Sequence, residues 1–482
     1  MRVVEKKINN KDIIVLIILL VFSIILLMQS PLNPLVNKIS GTDSSVFRYG
    51  ANILKNDKTI YKDSFDHKGP MIYFIDYIGN QINSNSGIWI LEIVSICMSM
   101  FFSYKTVNLV YSKKSSLIST ISTYLLLTLY FEQGNLTEEW ALPFISISLY
   151  IFIKYIVSGS INNFYIILCG ACFAIVTMLR INMIVIWGVF ALIILIINIR
   201  NKTYVSLFKQ IFWFSLGSSI IFIPIIIYLL KNDAIVDFMN QYIKFNLQYQ
   251  KATFSEKIDS LIYFSNNPII YISFISLIYM YKNGKIRKEL VLGIGISEIG
   301  SLLAIAMAGR LYMHYGMILI PVLSVLVATV IETISTLNDK KIEKYILMYI
   351  VLTVILVPNA IKLYKNIKDI RNLDDTYVRY IAETVKENTE DSDMITVLGN
   401  SDIVYILSDR MSVSKYSYQF PISNVNPHIF EEYMRDIKNG RPKAIVINYQ
   451  IDDIFLCRIN EYLNSENYKK IEDGAIKIYL SE

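Results

Sequence analysis

Apolar runs recur along the chain at a length that suits a bilayer better than a globular core. Stretches of roughly 16 to 22 residues lie near 12–29, 87–104, 115–131, 139–156, 164–179 and 183–199. Five more lie near 210–230, 262–281, 289–308, 315–333 and 344–359. Each is long enough to cross a hydrocarbon core of about 30 Å. The pattern predicts an all-α polytopic membrane domain of about eleven transmembrane helices. Only Arg180-Ile181-Asn182 separates two of the runs, the spacing of a tight turn. The first run is followed by Gln29-Ser30-Pro31-Leu32, which offers no small-residue cleavage site, so it is expected to be a span rather than a signal peptide.

Beyond about residue 360 the pattern changes. Met394–Leu398 has the composition of a buried strand ending at Gly399-Asn400, residues 428–438 are expected to form a helix, and Ala444–Asn448 and Ala475–Leu480 are expected to be further strands. A small soluble α/β domain over 361–482 is therefore expected behind a membrane domain over 1–360. Two connections are long. In the first, about 30–86, Val46, Tyr49, Gly50, Ile53 and Leu54 fall at i, i+3, i+4, i+7 and i+8, an apolar helical face suited to lying in the membrane interface. Met71–Ile78 in the same loop, opened by Gly69-Pro70, is apolar but too short to span. The second, about 231–261, carries Asp233, Asp237, Lys244 and Lys251.

Charge adds direction. Only 18% of residues are charged, against roughly 25% in soluble domains, and the mean hydropathy is +0.44. The net charge of +6 is too modest and too dispersed to indicate nucleic acid. Arg2, Lys6, Lys7, Lys11, Lys105, Lys113, Lys114 and Lys154 lie in alternate connections, as do Arg200, Lys202, Lys209, Lys282, Lys285, Arg287, Lys288, Lys340, Lys341 and Lys344. The three short turns on the opposite side carry only Arg180 and Arg310. The positive-inside bias then puts the N-terminus in the cytoplasm and the C-terminal domain outside. Cys97, Cys169 and Cys172 lie in apolar runs and Cys457 in the tail, which argues against a disulfide framework.

Ionisable residues at membrane boundaries are costly unless solvated, paired or used, and those of interest gather on the outer side. They are Asp43, the run Asp66-His67-Lys68, Glu138 and Glu139, Arg180, and Arg310, Tyr312 and His314. A carboxylate as general base with cations to hold a phosphate suits transfer of a sugar from a membrane-bound phosphate to a hydroxyl. The acceptor oxygen needs a base, and the departing phosphate needs Arg, Lys or His donors. No HExxH, Cys/His cluster or Gly-rich phosphate loop is present, so no metal, cofactor or nucleotide site is expected.

Gly41-Thr42-Asp43-Ser44-Ser45-Val46-Phe47 followed by Tyr61-Lys62-Asp63-Ser64-Phe65-Asp66-His67-Lys68-Gly69-Pro70 resembles the first loop of bacterial GT-C-fold glycosyltransferases, relatives of the protein mannosyltransferases and the lipid A aminoarabinose transferase. Gly134-Asn135-Leu136-Thr137-Glu138-Glu139 and the Gly309–Tyr315 segment are similar to segments of cell-envelope members. The resemblance covers roughly 10–360. It implies a GT-C-like fold, a multi-pass protein of the bacterial cell membrane, a polyprenyl-phosphate-linked sugar donor, inverting transfer, and an envelope glycopolymer, lipid or protein as acceptor. It also implies Asp43 as base, with Glu138 or Glu139 in support, and Asp66, His67, Lys68, Arg180, Arg310, Tyr312 and His314 binding donor or acceptor. Where some members carry two adjacent Asp, Ser44 follows Asp43 here, which weakens the case for a metal.

Blander roles exist for each residue. Asp43 suits a helix N-cap, Glu138 and Glu139 a helix dipole, and Arg180 a snorkelling cation. A lipid-linked saccharide flippase is the rival function. It would place ionisable residues at mid-membrane, whereas the polar groups here are expected at the surface.

Overall fold

The computed structural model describes residues 10–84, 86–249, 252–337, 341–420, 422–448 and 453–481. Arg2, Lys6, Lys7, Lys251 and Lys340 of the charge pattern lie outside these residues, as do the side chains of Lys11, Lys341 and Lys344. In chain order the helices begin with α1 (Asn10–Leu27), α2 (Thr42–Lys55), α3 (Met71–Ile82), α4 (Gly87–Val107) and α5 (Lys113–Tyr124). Then come α6 (Thr137–Ser158), α7 (Asn163–Thr177), α8 (Val185–Arg200), α9 (Tyr204–Lys231), α10 (Ile235–Phe238) and α11 (Asn246–Tyr249). They continue with α12 (Phe254–Ser265), α13 (Pro268–Lys282), α14 (Lys288–Ala306), α15 (Ile320–Leu337) and α16 (Lys341–Arg371). The tail holds α17 (Thr376–Glu387), β1 (Met394–Leu398), α18 (Ile403–Ser408), β2 (Met411–Ser412), α19 (Ile422–Val425) and α20 (His428–Gly440). It ends with β3 (Ala444–Asn448), α21 (Asp453–Ser465), β4 (Lys469–Asp473) and β5 (Ile476–Leu480).

Contacts group the chain into two compact units. One comprises Met1–Ser30, Trp89–Ile225 and Gln250–Asp369, the other Pro31–Ile88, Ile226–Tyr249 and Ile370–Glu482. In the first, helices long and apolar enough to cross a membrane are α4, α6, α9, α14, the stretch Met313–Thr336 and the stretch from Tyr345. With α12 and α13 taken together, the described residues give six or seven such spans. The other apolar runs fall in α1, α7 and α8, which are apolar but shorter, and in α5 with its 3-10 continuation Leu125–Leu129. The run expected near 262–281 is bent by 73° at Asn266-Asn267, because Asn267 caps a new helix that Pro268 opens. Helix α6 stops at Gly159, whose φ of 76° suits a left-handed C-terminal cap.

The second unit carries a five-stranded sheet in the order β2-β1-β3-β5-β4. β1 pairs in parallel with β2 and β3, while β5 runs antiparallel to β3 and β4. Its core joins Leu398, Ile445, Phe430 and Tyr433 of the tail to Phe65 of the first loop and Phe245. The N–H of Phe65 donates to the Lys415 carbonyl at 2.8 Å. Helix α2 has the expected length, but its apolar face does not lie in the membrane interface. The Tyr49 ring lies 4.9 Å from that of Tyr405, tilted by 36°, and its hydroxyl accepts from the Ser412 N–H at 2.9 Å. A Cβ on Gly50 would meet the Tyr73 ring at 2.4 Å. An apolar stripe specifies burial, and here protein supplies it instead of lipid.

Candidate active site

In the first unit, the loop ahead of α6 is held in an unusual backbone conformation. Glu132, Gln133, Gly134 and Asn135 all have positive φ, from 38° to 81°, a costly arrangement for the three that are not glycine. It turns the Asn135 N–H toward two carboxylates, Glu92 Oε1 at 2.8 Å and Glu139 Oε2 at 2.9 Å. The Glu92 and Glu139 carboxylates thus converge on a single N–H. Glu92 accepts from Ser30 Oγ at 3.2 Å as well. The neighbouring Glu138 forms an ion pair with Arg180 and accepts from its own neighbour Thr137 at 2.8 Å. Both glutamates offered as catalytic, Glu138 and Glu139, are thus buried and engaged.

Arg180 extends the cluster. Its guanidinium lies 4.2 Å over the Tyr315 ring, and Tyr315 meets His314 edge-on at 4.8 Å. His314 stacks on Tyr312 at 5.8 Å and its Nδ1 pairs with Glu132. Burial would raise the Glu132 carboxyl, but the His314 ring and the N–H groups of Met313 and His314 outweigh it and hold the carboxyl below its ordinary range. Glu138, Arg180, Tyr315, His314 and Glu132 therefore form one continuous chain of contacts. Arg310 lies on the exposed side, where its carbonyl accepts from Ser260 at 3.3 Å and its charge acts on Glu256.

In the second unit, Asp66, His67 and Lys68 form a single knot. Asp66 accepts from the Tyr73 hydroxyl at 2.8 Å, the Tyr418 hydroxyl at 3.2 Å and the His67 N–H at 2.6 Å. Its own N–H donates to Gln241 Oε1 at 3.2 Å. Lys68 Nζ lies 3.0 Å from His67 Nε2. Burial pushes the Asp66 carboxyl up, against the pull of Lys68 and the hydrogen bonds, and Asp43 adds to the push. Asp43 itself is exposed. It occupies the second position of α2, whose N-cap is Gly41, so Asp43 does not cap the helix. Among the described residues it makes no ion pair.

The sequence singled out none of Glu92, Glu132, Tyr73 and Tyr418, and gave Tyr315 no role beyond its place in the Gly309–Tyr315 segment. For Glu92 a signal existed, a carboxylate inside the apolar run 87–104. The expectation that ionisable groups avoid the interior of the spans needs correction for the same reason. Glu298, in α14, is 0% exposed, and among the described residues neither of its carboxylate oxygens has a hydrogen-bond partner.

Solved structures share this architecture. ArnT from Cupriavidus metallidurans bound to undecaprenyl phosphate is similar with a TM-score of 0.64 and 12% identity, over 97% of this chain and 97% of that one. Archaeal oligosaccharyltransferase AglB from Archaeoglobus fulgidus, in complex with an inhibitory peptide and a dolichol-phosphate, gives 0.55 and 11% identity over 98% of this chain and 74% of that one. The fold is GT-C-like. No curated protein matches the sequence. The family described as competence-induced protein Ccs4 N-terminal domain matches residues 5–363. That match takes in well over half of the sequence, and the chain belongs to this family.

Proposed function

We propose that the chain is a membrane glycosyltransferase that moves a sugar from a polyprenyl-phosphate donor to an extracytoplasmic cell-envelope acceptor with inversion. The observation that carries this reading is the contact chain from Glu138 through Arg180 to His314, in a fold shared with an ArnT structure that holds undecaprenyl phosphate. Residues 1–360 form a membrane domain of about eleven spans with a cytoplasmic N-terminus and a first outer loop over 30–86. Residues 361–482 form the extracytoplasmic domain.

In the reaction, the acceptor oxygen bonds to the sugar's anomeric carbon while the bond from that carbon to the phosphate oxygen breaks. The acceptor proton passes to Asp43, whose exposed carboxylate makes no ion pair among the described residues. The bonding electrons leave with the polyprenyl phosphate, and Arg180, Arg310 and Lys68 stabilise the charge that grows on it. Glu138 acts as a positioning residue that orients Arg180, and Glu132 does the same for His314. Asp66 fixes His67 and Lys68. Tyr312 and His314 offer a face for the sugar or acceptor.

The test is incubation of the purified protein with a panel of polyprenyl-phosphate sugars. Consumption of one donor is expected, and a wholly untouched panel would overturn the reading. A second reading, a lipid-linked saccharide flippase, is favoured by one observation, the buried Glu298 within a span, whose carboxylate has no hydrogen-bond partner among the described residues. Under that reading Glu298→Gln abolishes lipid translocation and no donor is consumed at any time.

A further inference from the structure

The helices of the first unit carry a second feature, at the end of α6 remote from Glu138. Here α6, α7, α8 and α9 enclose a cavity of about 320 Å³, walled by hydrocarbon such as Phe152, Ile166, Trp187, Ile194 and Phe214. It is built into the packing. A Cβ on Gly170 would lie 2.1 Å from the Phe214 carbonyl oxygen, and one on Gly217 would lie 2.0 Å from that of Ile167. The two glycines thus allow the α7 and α9 backbones to touch.

Polar groups occur at one end of the cavity. Tyr155 and Gln210 line it, and the Tyr155 hydroxyl accepts from Gln210 Nε2 at 3.2 Å and Asn198 Nδ2 at 3.3 Å. Tyr155 lies in the last turn of α6, Asn198 in the last turn of α8, and Gln210 in the second turn of α9. The polar end therefore sits at the membrane boundary formed by the connections 159–162 and 201–203. Arg200, Lys202 and Lys209 are exposed at that boundary, and no Asp or Glu occurs anywhere between residues 140 and 232.

A hydrocarbon cavity that ends in hydrogen-bonding groups beneath uncompensated cations has the chemistry of one occupant. We propose that it holds an anionic glycerophospholipid of the adjoining leaflet. One acyl chain fills the cavity, the glycerol-phosphate region meets Tyr155 and Gln210, and the negative headgroup lies on Arg200, Lys202 and Lys209. This lipid is neither donor nor acceptor in the proposed transfer, and its binding does not depend on that reaction.

Trp187 lines the cavity and gives a direct probe. The full chain is placed in phosphatidylcholine nanodiscs containing graded phosphatidylglycerol with brominated acyl chains, and the fluorescence lost between wild type and Trp187→Phe is followed. Brominated phosphatidylglycerol should quench that component at a mole fraction about tenfold lower than brominated phosphatidylcholine, equivalent to about 1.4 kcal/mol. Ala191→Phe, which fills the cavity, should remove the quenching. The surface variant Arg200→Gln, Lys202→Gln, Lys209→Gln should make the two lipids equivalent while leaving the fold intact. Equal quenching of the wild type by both lipids, quenching by neither, or a preference that survives the triple variant would overturn the proposal.

Discussion

The cluster at the start of α6 and the knot around Asp66 bury carboxylates by different means. At α6 the compensation is ionic and shared. Glu138 faces Arg180, Glu132 faces His314, and Glu139 shares the Asn135 N–H with Glu92. Around Asp66 the hydrogen-bond donors are two tyrosine hydroxyls and a backbone N–H, with the His67 ring 3.4 Å away. An ionic cluster keeps donors that a bound phosphate can use, whereas phenolic donors that point at one carboxylate mainly fix the loop that carries it. Asp43 differs from all of these in having no hydrogen-bond or ion-pair partner among the described residues. The comparison teaches that a carboxylate's identity in sequence says less about its role than what has already claimed its oxygens.

Breaking the ionic side should have the largest effect on stability. Arg180→Gln leaves Glu138 buried without its cation and should cost about 3–5 kcal/mol, read as a fall in the thermal unfolding midpoint of the purified protein. Pairing it with Glu138→Gln should recover a good part of that loss, because no buried charge is then stranded.

The next effect is a pH dependence on the other side. Burial raises the Asp402 carboxyl from 3.8 to about 7, with Asp66 adding to the shift and the Ser417 hydroxyl opposing it. The folded state therefore holds this proton more tightly than the unfolded state does. Its contribution is complete below about pH 4 and lost as pH rises toward 7. Unfolding of the full chain should show that slope, and Asp402→Asn should flatten it. A slope unchanged in the variant would assign the titration elsewhere.

Smaller still is Tyr418→Phe, which removes one of the hydrogen bonds to Asp66 and should cost about 1 kcal/mol in the same unfolding experiment. Asp43→Asn should have the smallest effect on stability, within about 0.5 kcal/mol of wild type, since its side chain is exposed and makes no ion pair among the described residues.

Much of the architecture was legible because membrane spans and parallel strands announce themselves through composition. Met394–Leu398 and Ala444–Asn448 are apolar along their length and pair as neighbours in the sheet. Lys469–Asp473 gave no such signal, since it is a charged edge strand with most of its residues exposed. The polar turns were legible as chemistry, and Glu138, Arg180, Tyr312 and His314 do come together. Which oxygens were free was not legible, because partners such as Glu92, Glu132, Tyr315 and Tyr418 lie tens to hundreds of residues away. Glu298 went unremarked because hydropathy averages a single carboxylate into its apolar surroundings.

The most direct measurement is the free polyprenyl phosphate released by the purified full chain from lipid-linked sugars, wild type beside Asp43→Asn. Wild type should release it, and the variant, equally folded, should do so about 10²–10⁴-fold more slowly, the span attributed to a general base. Equal release by both proteins would remove Asp43 from the chemistry, and release by neither would contradict sugar transfer altogether.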